Sequence, residues 1–318
     1  MKKLLLVSTA VAMLFASCQK NNLTTDTAGT PTQRNCQSME VLSEQFKADP
    51  TLEARMQAAE DAVQNNLRNN VNARLVNGVI EIPVVVNVLY RTTAENVSQA
   101  QIQSQIDVLN KDFNATNTDF NLVPSTFSGV KANVGIRFVL DQVIRKSTTK
   151  TSWRTDDAMK KSSKGGINPT SPTTKLNLWV CTLSGGILGY AQFPGGASST
   201  DGVVILNSGF GTTGSAAAPF NKGRTATHEV GHWLNLRHIW GDATCGSDLV
   251  SDTPTHNTAN YGCPAAGHKS TCTGTPIEMT MNYMDYTDDA CMYMFSTGQK
   301  SRILATFATG GPRNSFAQ

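Results

Sequence analysis

His228-Glu229-Val230-Gly231-His232-Trp233-Leu234-Asn235-Leu236-Arg237-His238 is the stretch on which the fold turns. On a helix, His228 and His232 stand one turn apart and both imidazoles leave the same face. Two neutral imidazoles with a glutamate between them suit a zinc ion: the rings ligate, and the carboxylate stands beside a water that the ion acidifies. His238 cannot join them if the helix runs on. Six more residues would carry it about 9 Å along the axis and about 240° round it, against a Zn–N bond of about 2.1 Å. If His238 ligates, the helix stops soon after His232 and the chain turns back. Asn235 is placed for that turn, because Asn is the non-glycine residue that best tolerates the left-handed conformation. Three of the chain's five histidines fall here at ligand spacing, which sets the stretch apart from a chance H-E-x-x-H.

The pattern H-E-x-x-H-x-x-(G/N)-x-x-H, with Met281-Asn282-Tyr283-Met284-Asp285-Tyr286 downstream, resembles the metzincin zinc endopeptidases, whose second signature is a methionine turn. Residues 228–242 and 282–295 are most similar to the pappalysin branch and its bacterial cytophagalysin and ulilysin-like members, and the likeness covers residues 80–312. Asn235 stands where most metzincins carry Gly. The resemblance implies an α/β (α+β) domain with a mixed twisted sheet, a zinc-binding active-site helix, a Met-turn and a C-terminal helix. It implies peptide-bond hydrolysis, with His228, His232 and His238 on one Zn²⁺, Glu229 as general base, and Met284 as an apolar base that does not ligate. Tyr286, two residues after Met284, takes the place of a tyrosine that ligates zinc or steadies the tetrahedral intermediate; a core tyrosine is the competing reading. Ile187, Leu188, Gly189, Tyr190 and Ala191 look like the edge strand that pairs with extended substrate.

Cysteines agree with export. Of seven, Cys245, Cys263, Cys272 and Cys291 cluster around a Gly-, Thr-, Asp- and Pro-rich passage over 241–276 that needs staples. Four cysteines allow three pairings; the resemblance favours Cys245–Cys272 and Cys263–Cys291. In the same passage Asp242, Asp248 and Asp252 offer hard oxygens suited to Ca²⁺, and the likeness to calcium-binding pappalysins points the same way. Turn capping by these aspartates is the competing reading. His256 and His268 are expected as exposed polar residues. Asp288 and Asp289 lie behind the Met-turn, where some bacterial relatives hold a basic residue that follows the scissile bond.

The chain begins Met1-Lys2-Lys3 and runs through an apolar stretch to Ala16, too short to span a membrane and fitting a signal peptide over 1–17. Leu14-Phe15-Ala16-Ser17-Cys18 resembles a lipoprotein box with Cys18 as the lipidated residue. The expected location is outside the cytoplasm: secreted, or an outer-membrane or cell-surface lipoprotein. Residues 18–75 read as tether and pro-segment, helix-prone from about residue 39 and broken at Asp49-Pro50, with a processing site near its end. Residues 76–318 form the catalytic domain. Its strands are expected near 78–90, 134–140, 176–180, 186–193 and 203–206, with a helix capped by Ser98 and another opening at the capping box Ser296-Thr297-Gly298-Gln299 and ending at Gly310-Gly311.

Within the leader, Arg34-Asn35-Cys36 resembles the Arg-x-Cys leader of ulilysin-like proenzymes. A thiolate is a better zinc ligand than water, so Cys36 would block the open coordination position and impose latency. The competing reading is a Cys36–Cys181 disulfide. Net charge is +3, too small to argue for nucleic acid or an acidic substrate. Protein or peptide substrates are the expected partners, with the membrane met only through a lipid anchor. A non-catalytic binding module on the same zinc-pinned fold is the alternative, and the intact Glu229 speaks against it.

Overall fold

The computed structural model describes residues 31–71 and 79–316. The stretch expected as a signal peptide, Cys18, most of the expected tether and part of the expected processing region lie outside the described residues. Among the described residues no helix is long and apolar enough to cross a membrane.

Strand β1, Ile80–Tyr90, is the spine. It is dense in Val and Ile and almost wholly buried, as a strand covered on both faces must be. β2 (Lys131–Ala132) is short, and β3 (Ile136–Ser147) pairs parallel to β1. β4 (Leu176–Cys181) pairs parallel to the other side of β1, followed by β6 (Val203–Leu206); β5 (Gly189–Ala191) closes the edge antiparallel to β6. The five-stranded order is β3-β1-β4-β6-β5. Alternation decides which face each side chain takes. Val203 and Ile205 of β6, with Leu178 and Val180 of β4, enter the main core; Val204, Leu206, Trp179 and Cys181 enter the second.

The main core lies between the sheet and three helices. α3 (Gln99–Phe113) starts where Ser98 accepts the Gln101 N–H at 3.1 Å, and buries Ile102, Ile106, Leu109 and Phe113 at helical spacing. α4 (Arg224–Trp233) carries the zinc motif. α5 (Thr297–Phe307) opens in the expected capping box, with Ser296 and Gln299 bonded reciprocally, and follows the short strand β7 (Phe295–Ser296), which pairs with β2. It ends three residues before Gly310, not at it, because Ala308 is already extended.

The leader forms α1 (Ser38–Ala48) and α2 (Leu52–Arg68), broken at Asp49-Pro50 as its sequence requires. Val41 of α1 enters the second core, and α2 packs along α5. The edge strand is shorter than expected. Gly185 and Gly186 both take positive φ and turn the chain, so Ile187 stands off the ladder. Leu188 remains bonded through its carbonyl to Leu206 N at 2.8 Å.

Candidate metal centre and cleft

α4 ends where its sequence says it must. Trp233 is the last helical residue, Asn235 adopts φ 71°, and Leu236 N donates back to Gly231 O at 2.9 Å. That reversal brings His238 beside the helix. Its Nε2 lies 3.1 Å from His232 Nε2, which lies 3.2 Å from His228 Nε2. All three rings are buried.

The protons decide what these contacts mean. His228 Nδ1 is 2.7 Å from Tyr283 O, His232 Nδ1 is 2.8 Å from Leu236 O, and His238 Nδ1 is 2.5 Å from Asp242 Oδ1. Each partner is an acceptor, so each Nδ1 carries the proton and each Nε2 presents a lone pair. Burial holds His228 and His232 well below the usual histidine range, so their rings are neutral. Three lone pairs facing one another at this distance need a cation between them. The spacing is close to about 3.3 Å, the edge of a tetrahedron with Zn–N bonds of about 2.0–2.1 Å. The donor set fits zinc.

Met284 lies beneath. A Cβ on Gly231 would come within 2.4 Å of its sulfur, so the helix needs glycine there. Glu229 is buried beside the histidines, and burial pushes its carboxyl up to about 7. Gly189 of β5 leaves room for it, since a Cβ there would meet Glu229 Cγ at 3.0 Å.

Cys36 completes the ring of donors, its sulfur grouped with the three Nε2 atoms within 4.8 Å. Cys36 and Cys181 are both free and buried, so the Cys36–Cys181 alternative is overturned. The segment around Cys36 adds a strand to β5: Leu188 N donates to Asn35 O and Gln37 N to Gly189 O, both at 3.0 Å. Ser38 Oγ accepts from Ala191 N at 2.8 Å and donates to Glu229 Oε2 at 3.0 Å; Cys36 Sγ lies 3.2 Å from the same oxygen. Tyr286 OH donates to the Cys36 carbonyl at 3.0 Å. Arg34 Nη2 meets Asp289 Oδ1 at 2.7 Å, under Phe220.

The loop after α4 carries the expected disulfides, Cys245–Cys272 and Cys263–Cys291. It does not gather the three aspartates. Asp242 faces His238, Asp248 holds Thr253 Oγ1 and Val250 N in its own turn, and Asp252 caps α5 through Gly298 N and Ser296 Oγ. These are turn and cap roles, and no calcium site is assigned to them. His256 corrects another expectation. It is fully buried, its Nε2 accepting from Met279 N at 3.0 Å, while His268 is the half-exposed one. Of the two acidic residues behind the Met-turn, Asp289 is buried and pairs with Arg34, while Asp288 is half-buried.

Three features escaped sequence reading. Ser38 is one. The second is a clamp in which Glu60 of α2 pairs with Arg302 of α5 and accepts from Asn235 Nδ2 at 3.1 Å. The third is Arg313, bidentate on Asp201 at 2.7 and 2.9 Å, which fixes the end of α4 because Asp201 also accepts from Trp233 Nε1. Alternation at 34, 36 and 38 was a usable signal for Ser38; the other two had none, because their partners lie far apart in the chain.

A family profile described as peptidase M43, pregnancy-associated plasma protein-A, matches residues 173–308. An extracellular metalloprotease of Verticillium alfalfae is 34% identical over 70% of this chain and 77% of its own. This chain belongs to the pappalysin family of metzincins. The Tannerella forsythia promirolysin structure is 41% identical and covers 89% of this chain and 97% of its own, with a TM-score of 0.80. Mature mirolysin from the same organism, solved with a cleaved peptide, is 45% identical and covers 75% of this chain and 96% of its own, with a TM-score of 0.73. The match lengthens when the zymogen form is compared, so this pappalysin shares its leader with a zymogen. It is a zinc metalloendopeptidase.

Proposed function

We propose that the chain is an exported endopeptidase made in latent form: residues 1–17 direct export, 18–75 hold the enzyme inactive, and 76–318 cleave proteins. The observation that carries this reading is the leader laid along β5, with Cys36 over the three histidines and its carbonyl on Tyr286 OH. Extended substrate takes the same edge once the leader has gone. Its scissile carbonyl stands where the Cys36 carbonyl stands now, so Tyr286 OH donates to the oxygen as it gains charge.

His228, His232 and His238 would hold the zinc, which when bound supplies the positive charge that acidifies water and polarises the carbonyl. Glu229 takes the proton from the attacking water and passes it to the leaving amine. In the latent form, Cys36 and Ser38 occupy the Glu229 carboxylate, and Cys36 would hold the zinc together with the three histidines. The leader bridges β5 in the parallel sense at Cys36–Gly189, so Arg34, which precedes Cys36, reaches Asp289 on the side where a substrate running antiparallel would place a basic residue after the scissile bond. Cys18 is the proposed anchor if the exported chain stays at the surface.

The test is Glu229→Ala in the full-length chain. Protein cleavage should vanish while zinc content stays at one per chain; cleavage at an undiminished rate would sink the proposal.

A further inference from the structure

Two of the three histidines are held by neutral backbone carbonyls, Tyr283 O and Leu236 O. His238 alone has a carboxylate, Asp242 Oδ1 at 2.5 Å. The same short turn supplies its other support. Trp240 stacks on the His238 ring at 4.3 Å and 8°, and Gly241 N donates to His238 O at 2.8 Å. Gly241 takes φ 64°, and a Cβ there would lie 2.4 Å from Ser247 N, so the turn is built for glycine. Asp242 itself adopts φ 57°, a conformation that aims its side chain back at the ring. His238 is also the one ligand outside α4, where no helix fixes its direction.

We propose that Asp242 is a positioning residue for the zinc, fixing the tautomer and the direction of His238 so that its Nε2 lone pair faces the metal. A carboxylate on Nδ1–H draws the proton towards itself and raises electron density at Nε2. It also puts a negative charge near a centre whose ligands are otherwise neutral once Cys36 has gone. The turn thus does for His238 what α4 does for the other two.

The test uses the full-length chain with Glu229→Gln, which stays intact, and reads the rate at which zinc passes to a chelator. Asp242→Ala should release zinc about 10- to 100-fold faster. Asp242→Asn, which keeps an oxygen acceptor but no charge, should fall between. The cobalt-substituted protein should show a shifted ligand-field band in both variants, with the melting temperature of the metal-stripped chain unchanged. The proposal rests on the three-histidine reading: a chain that takes up no zinc overturns both. A chain that takes up zinc and releases it at the same rate with Asp242→Ala overturns this proposal alone. Faster release matched by a lower melting temperature of the stripped chain overturns it too, since Asp242 would then be holding the fold.

Discussion

Arg34 and Asp289, 255 residues apart, form an ion pair whose side chains are 1% and 0% exposed, Nη2 2.7 Å from Oδ1. Asp289 is prepared for it. Its other oxygen accepts Lys222 N at 2.8 Å and Arg224 N at 3.2 Å, and Arg34 Nε donates to Thr287 O at 3.2 Å. The forked contact suits guanidinium better than ammonium. The mature enzyme should therefore prefer Arg over Lys, and both over apolar residues, immediately after the scissile bond. Asp289→Asn should lower kcat/KM for Arg substrates by about 10- to 100-fold, as expected for a hydrogen bond to a charged group. A cut-site profile dominated by apolar residues at that position would remove the idea.

Latency should have two parts. Cys36→Ala removes the sulfur from the histidine cluster and one contact to Glu229; Ser38→Ala removes the other and frees Ala191 N. Each should shorten the lag before self-processing, and the double variant should show the shortest lag. The Ser38 contact to a carboxylate is worth about 1.5–3 kcal/mol, hence about a tenfold or greater rise in the active fraction. An unchanged lag in purified Ser38→Ala would mean that the sulfur acts alone.

The metal centre was legible because its chemistry is local. His228, His232, Asn235 and His238 lie within eleven residues, and helix geometry with one left-handed residue fixes where they go. β1 and α3 were legible through periodicity. The cleft's second wall was not. Ser38 meets Glu229 across 191 residues and Glu60 meets Arg302 across 242, and no spacing rule reaches that far. The errors have physical causes as well. His256 was expected outside because it sits in a loop, yet that loop is folded inward by two disulfides and by Asn260, which donates to both Glu278 and Asp285. Asp242, Asp248 and Asp252 were grouped because they are close in sequence, yet each is bonded in its own turn or cap.

The two disulfides should differ in consequence. Each closes a loop of nearly 30 residues, for sequence separations of 27 and 28, and should stabilise the fold by about 3.5 kcal/mol. Only Cys263–Cys291 ends on the turn Asp289–Cys291 that carries the pocket carboxylate. Replacing Cys245 and Cys272 with Ser should lower the melting temperature and leave the cut-site profile intact. Replacing Cys263 and Cys291 should lower it and blur the preference for Arg. Identical profiles in the two variants would count against a link between that bridge and specificity.

The last prediction concerns acid. Arg302 holds the Glu60 carboxyl down at about 2, outweighing the upward push of burial. A carboxylate with a depressed folded value contributes its stability above its ordinary value, near 4.5, and loses it as the pH falls towards 2. Docking of α2 on α5 should therefore be insensitive to Glu60 from neutrality down to about pH 5 and loosen steadily below 4.5. Asp49 titrates in the same window, held down by Arg55 and Thr51, but that group is exposed and its partners lie within the leader. Glu60→Gln separates the two. Hydrogen exchange over Leu52–Arg68 in the uncleaved chain should speed up in the variant at pH 7, and acidification should add little more. If the variant shows the full acid response of the unmodified chain, the clamp is not what acid releases.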